Sequence, residues 1–91
     1  MRFEWDENKN KILKTDSKRG LSFEKVKELF HFNYYLDQKN DDPEQFRAIG
    51  FVGNKLITLI FESRKDEEGE YYHFVTYWHS IKSERKLYEK G

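Results

Sequence analysis

The chain has 91 residues, enough for a single domain spanning 1–91 and too few for two. Its 17 Lys+Arg balance 17 Asp+Glu to a formal net charge of zero, which excludes a polycation held on nucleic acid by bulk charge, so any nucleic-acid face has to be a local patch. With no cysteine there is no disulfide, thiolate zinc site or thiol nucleophile, a composition that suits a reducing cytoplasm. The opening Met1–Asp6 lacks the apolar region of a signal peptide, and the longest apolar run, Leu56 to Phe61, is too short to cross a bilayer, so a soluble cytoplasmic protein is expected. Eight Phe, six Tyr and two Trp supply half of the hydrophobic fraction, and the core must be built largely from rings.

Phe3 and Trp5 alternate with charge as in a short first strand, and Asp6 is placed to cap a helix starting at Glu7, with Ile12 and Leu13 as its apolar anchors. A second helix is expected from about Phe23 to His31: Ser22 is its N-cap, Leu21 and Val26 stand at staple spacing, and Phe23, Val26, Leu29 and Phe30 form one stripe. In the segment from His31 to Glu44, Phe32, Tyr34 and Tyr35 read as a short strand, broken by Pro43. The runs Phe46 to Val52 and Lys55 to Phe61 flank Gly53-Asn54, and glycine at the first central position suits a type II′ hairpin turn. An acidic turn with Gly69 leads to a ring-rich strand, Tyr71 to Trp78, after which Ser80 is expected to cap a closing helix anchored by Ile81, Leu87 and Tyr88. The order predicts an α+β fold: an antiparallel β-meander with two N-terminal helices and a C-terminal helix packed on one sheet.

Charge is segregated along the chain. Lys9, Lys11, Lys14, Lys18 and Arg19 face only Asp16 between residues 9 and 19, whereas Asp66, Glu67, Glu68 and Glu70 crowd one turn. No metal-ligand spacing, phosphate-binding glycine loop or serine-nucleophile motif occurs, so no metal and no cofactor are expected. One reaction that needs neither metal nor covalent intermediate is RNA cleavage by its own 2′-hydroxyl. It requires a proton acceptor, cationic donors for the charge that builds on phosphorus, and an acid for the leaving oxygen.

Five segments lie in a recognisable order: Phe3-Glu4-Trp5-Asp6 with Lys9, Lys18-Arg19-Gly20-Leu21-Ser22-Phe23-Glu24, Phe46-Arg47-Ala48-Ile49-Gly50, Phe61-Glu62-Ser63-Arg64, and Glu84-Arg85-Lys86-Leu87-Tyr88. Together they resemble the BrnT toxins, small RelE-like ribonucleases of type II toxin–antitoxin modules. The resemblance implies a metal-independent endoribonuclease acting on mRNA, neutralised by a DNA-binding antitoxin of BrnA type through which alone it would meet DNA. Its early lysine falls on Lys9, its Lys-His-Gly turn on Lys18-Arg19-Gly20, its strand-end arginine on Arg64, and its closing Glu-Arg-x-x-Tyr on Glu84, Arg85 and Tyr88. Two positions depart: Arg19 replaces the turn histidine, and Trp78 stands where the last strand usually carries arginine. About two residues, near Asp16 and Ser17, are extra.

On this reading Lys9, Arg19, Arg64 and His79 are the candidate catalytic residues, His79 or His73 supplying the titrating group in place of the missing histidine. Lys18, Tyr77, Trp78, Arg85 and Tyr88 are the candidate substrate contacts, with one of the adjacent Tyr77 and Trp78 facing the core and the other free to stack on a base. Arg64 is the single residue favoured most for phosphate, against a surface ion pair with Glu62, Asp66 or Glu67. The departures at Arg19 and Trp78 motivate a second reading, a catalytically impaired antitoxin-binding co-repressor. The basic stretch from Lys9 to Arg19 motivates a third, a small RNA-binding module.

Overall fold

In a computed structural model that describes residues 1–91, β1 (Arg2–Trp5), β2 (Tyr34–Asp41), β3 (Glu44–Val52), β4 (Lys55–Asp66) and β5 (Gly69–His79) form one sheet in the order β1-β5-β4-β3-β2. The helices are α1 (Glu7–Thr15), α2 (Phe23–Val26), continued as a 3-10 turn over Lys27–His31, and α3 (Lys82–Lys90). The fold is α+β, as expected. From β2 to β5 each strand pairs antiparallel with the next. The sheet as a whole is mixed, because β1 lies parallel to β5, with Arg2 opposite Tyr71 and Trp5 opposite Phe74. The expectation of an antiparallel sheet throughout is thus corrected at this edge, where the first strand joins the last rather than its neighbour in sequence. No helix is long and apolar enough to cross a membrane.

Side chains alternate between the faces of a strand. One face carries Phe3 and Trp5 from β1, Ala48 and Val52 from β3, Ile57, Leu59 and Phe61 from β4, and Phe74 and Tyr77 from β5; Leu13, Phe23, Val26 and Leu29 of the N-terminal helical layer close over it. Rings do much of the filling: Phe23 meets Phe74 and Tyr77 edge-on at centroid distances of 5.7 and 6.1 Å. The other face carries Arg47, Ile49, Phe51, Thr58 and Trp78, and α3 packs there, with Tyr88 edge-on to Phe51. The three helices therefore cover both faces of the sheet, and both sides of mid-β4, Leu56 to Phe61, are buried.

Phe74 and Tyr77 share a face although three residues apart. The pairing of β5 with β4 shifts from Thr76↔Ile60 to Phe74↔Phe61, leaving Val75 as the extra residue of a bulge. Beyond it, Tyr77 and His79 take the helical-layer face and Trp78 takes the α3 face.

Several local expectations hold. Asp6 caps α1, its Oδ1 accepting from the N–H of Asn8 and Lys9, and Ser22 caps α2. Gly53 has φ +63° while Asn54 does not enter the positive region, as a type II′ turn requires. Other expectations are corrected. Ile12 is exposed, and the buried partner of Leu13 on α1 is Asn10. β2 is a full strand of eight residues rather than a short one, since β3 pairs with an otherwise polar segment from Tyr34 to Asp41, with one irregularity at Lys39. β4 runs on to Asp66, so Arg64 lies within a strand. Ser80 does not cap α3: its hydroxyl pairs with that of Thr58 at 2.8 Å, and the carboxylate of Glu84 accepts instead from the Ile81 N–H at 2.9 Å. Ile81 is exposed.

Glu84 fastens α3 to the sheet. Its buried Oε1 also accepts from Thr58 Oγ1 and Trp78 Nε1, each at 3.0 Å. Removing it leaves an indole N–H, a hydroxyl and a backbone N–H without their acceptor. Glu84→Ala is expected to lower stability by about 2–4 kcal/mol, read by urea unfolding, and to speed amide exchange in α3 ahead of the rest of the chain.

Candidate functional site

The turn after α1 is assembled from its own residues. Asp16 Oδ1 accepts from the N–H of Lys18 at 2.8 Å and of Arg19 at 2.9 Å, and these two bonds hold its carboxyl below the usual carboxylate range. Gly20, at φ +70°, takes a left-handed conformation open to glycine, which lets its N–H reach the Leu13 carbonyl at 3.2 Å. Tyr77 then clamps the exit: its hydroxyl donates to the Leu21 carbonyl at 2.7 Å and accepts from the Leu21 N–H at 2.8 Å. Burial pushes the phenol above its ordinary pKa, so it remains a donor. One position further on from Trp78, the Nε2–H of His79 donates to the Arg19 carbonyl at 3.3 Å. In the neutral ring this tautomer leaves Nδ1 with its lone pair.

Asp16, Lys18, Arg19, Trp78 and His79 line a cleft of about 330 Å³. Four of the expected site residues, Lys18, Arg19, Trp78 and His79, thus come together. Trp78 borders the cleft from the α3 face, where its Nε1–H is engaged by Glu84. The side chains of Lys18 and Arg19 enter no salt bridge, whereas Arg2, Arg47 and Arg64 are each paired with carboxylates. A cation without a carboxylate partner is available to an anionic ligand; a neutralised one is not.

The remaining candidates lie elsewhere. Arg64 donates Nε–H to Glu62 Oε1 at 2.9 Å, which raises its pKa further. It pairs with Tyr71 across the ladder, whereas His79 pairs with Ile57. Seven residues of strand at about 3.3 Å each separate these positions by ~23 Å, and the two side chains are on opposite faces. Tyr77 is fully buried and of the Tyr77–Trp78 pair is the core member. Lys9 is exposed on α1 and does not line the cleft. Arg85 is exposed on α3, and Tyr88 lines a different cleft. Asp16, which shapes the turn, was passed over as one of two extra residues; the signal was available in Asp-x-x-x-Gly turn chemistry. His73, the alternative titrating residue, sits opposite Glu62 and Glu4 near Arg64. Burial, then the Arg64 charge, holds it below the usual imidazole range, with Glu62, Glu4 and Asp6 pulling the other way.

No protein-family model matches the chain, and no curated protein matches it.

Two outcomes follow from this geometry. Tyr77→Phe keeps the ring but strands the Leu21 N–H and carbonyl, so a loss of about 1–3 kcal/mol is expected, with amide exchange at Leu21 accelerated before that of β4. The folded-state pKa of His73 is depressed, so on acidification the unfolded chain binds its proton first. The stabilisation is present above the ordinary imidazole pKa of about 6.5 and is lost as pH falls toward the folded value. His73→Gln should lose less stability than the parent between about pH 7.5 and pH 5.5 in paired unfolding curves.

Proposed function

We propose that the protein is a metal-independent endoribonuclease of the BrnT-like, RelE-like toxin class, working on mRNA in the cytoplasm and neutralised by a cognate DNA-binding antitoxin. The observation that carries this reading is the pair of cations without carboxylate partners, Lys18 and Arg19, on a turn fixed from three sides and beside an imidazole. The order of segments along the sequence supports the family.

The groups divide the work by chemistry. Arg19 offers a planar fork of donors to two phosphate oxygens, and Lys18 adds a point charge. His79 Nδ1 accepts the 2′-hydroxyl proton as the 2′-oxygen attacks phosphorus; the bond from phosphorus to the 5′-oxygen breaks, that oxygen takes a proton from solvent water, and a 2′,3′-cyclic phosphate and a 5′-hydroxyl result. The two cations hold the charge that develops on the way. The open face of Trp78 is a stacking surface for a flanking base. Asp16 Oδ1 is spent on the turn itself, and its carboxylate makes no salt bridge to either cation.

Arg19→Ala is expected to lose about a hundredfold in cleavage of single-stranded RNA with little change in thermal unfolding. Arg64→Ala should keep cleavage within about threefold and change stability by less than about 1 kcal/mol. Cleavage should persist in EDTA and produce cyclic-phosphate ends. Loss of activity in Arg64→Ala with retention in Arg19→Ala would move the site to the far end of the sheet. Binding of RNA without cleavage by the parent chain would leave the RNA-binding module as the better reading.

A further inference from the structure

The largest concavity is not the cleft at Arg19. It lies on the other side of the molecule, where the start of β2 meets the end of α3, encloses about 420 Å³, and is lined by Asn33, Tyr34, Tyr35, Tyr88, Glu89 and Gly91. This volume falls in the range of about 300–1,000 Å³ typical of small-ligand sites. Half of its lining residues are tyrosines.

Tyr34 and Tyr35 are neighbours on β2 and point to opposite faces: the Tyr34 ring turns to the helical layer, edge-on to Phe30 at 5.0 Å, and the rings of Tyr35 and Tyr88 are the two on the α3 side, each held from behind by a different contact. The hydroxyl of Tyr35 donates to Asp37 Oδ2 at 3.0 Å, and Asp37 is in turn fixed by Arg47. Tyr88 stands edge-on to Phe51 at 5.5 Å. Rings immobilised before a ligand arrives lose little entropy when it binds.

The electrostatics of the cleft have one sign. Glu89 is the only charged residue among those lining it, and no lysine or arginine reaches it. The nearby Arg47 is neutralised by Asp37. The carboxyl-terminal end of α3 adds the negative pole of its peptide dipoles, with the Gly91 N–H satisfying the Leu87 carbonyl and leaving the last turn facing the cleft. Aromatic faces, a carboxylate and a helix C-terminus all favour a cation and disfavour phosphate.

We propose that the cleft formed by Tyr35, Tyr88 and Glu89 binds an organic cation through its quaternary ammonium or guanidinium head. The cation is either a free small molecule or a basic side chain presented by a protein. The site is independent of the ribonuclease reading, shares no residue with the cleft at Arg19, and stands or falls separately.

The test is titration of the whole chain, followed by the NMR signals of the tyrosine rings, with choline, with its neutral carbon isostere 3,3-dimethyl-1-butanol, and with the tripeptide Gly-Arg-Gly. Choline or the tripeptide should saturate shifts at Tyr35 and Tyr88, while the neutral alcohol should not. Tyr88→Leu should weaken binding by about tenfold or more, Tyr88→Phe should hold it within about threefold because the ring face remains, and Glu89→Gln should weaken it about three- to tenfold. The phenylalanine and glutamine variants guard against a leucine variant that fails to fold. Tighter binding of choline assigns the site to free quaternary ammonium compounds, and tighter binding of the tripeptide assigns it to a presented side chain. Equal binding of the neutral alcohol, or no saturable shift with either cation, overturns the proposal.

Discussion

One extra residue in the last strand sets the phase of everything at its carboxyl end. Without the bulge at Val75, strict alternation from Phe74 would turn Tyr77 and His79 toward α3, and Trp78 toward the helical layer. Tyr77 could then not reach Leu21, the ring of His79 could not reach the Arg19 carbonyl, and Glu84 would lose its indole partner. The clamp on the turn, the imidazole beside the cations and the anchorage of α3 all depend on that irregularity. A bulge next to a functional centre, re-aiming a side chain that regular pairing would misdirect, is a common use of the device.

The second constraint is size. With few aliphatic side chains, the apolar surface is too small to position short helices unaided, and three buried polar groups supply orientation. Asn10 joins α1 to α2, accepting from the Phe23 N–H at 2.7 Å and donating to Glu7 at 3.1 Å and Glu24 at 2.9 Å. Tyr77 joins the turn to β5, and Glu84 joins α3 to β4. Each satisfies a backbone group on another segment or at a helix start, Asn10 and Glu84 adding side-chain partners, so each specifies one arrangement where apolar contact alone would tolerate several. The open faces carry surface pairs of modest worth, such as Arg2 with Glu4, Asp66 and Glu68.

The legible parts of this sequence were those governed by local rules. The caps at Asp6 and Ser22, the Gly53-Asn54 hairpin and the apolar stripe from Phe23 to Phe30 are each decided within a few residues, and they appear as the spacing predicts. What depended on distant partners was hidden. The polar segment Asp37–Asp41 has poor strand propensity and is a strand only because β3 lies beside it. Ile12 and Asn10 exchange the roles that hydropathy assigns, since a buried amide with three partners outranks an apolar side chain on the wrong side of the helix. Arg64 was attractive by its place in a run of residues, yet strand alternation puts Glu62, two residues before it on β4, on the same face beside it. The cluster of Lys18, Arg19, Trp78 and His79 was visible as a set of residue types, but its convergence required the turn and the bulge. The tyrosine cleft had no linear signal, because Tyr35 and Tyr88 lie more than fifty residues apart.

The parallel edge strand also shapes how the chain reaches this structure. The ion pair between Arg2 and Glu68 spans 66 residues of sequence, and nearly every residue must be in place before β1 has a partner. Hairpins such as β3–β4 close short loops and form early, whereas this pairing closes almost the whole chain and carries the entropy of doing so. Because β1 precedes β5 by more than sixty residues, its ladder partner is made long after it, and until then Phe3 and Trp5 have only Phe30 and Phe23 of the helical layer to pack against. β1 is thereby the latch of the fold, and the growing chain is open to misassociation through it until β5 arrives.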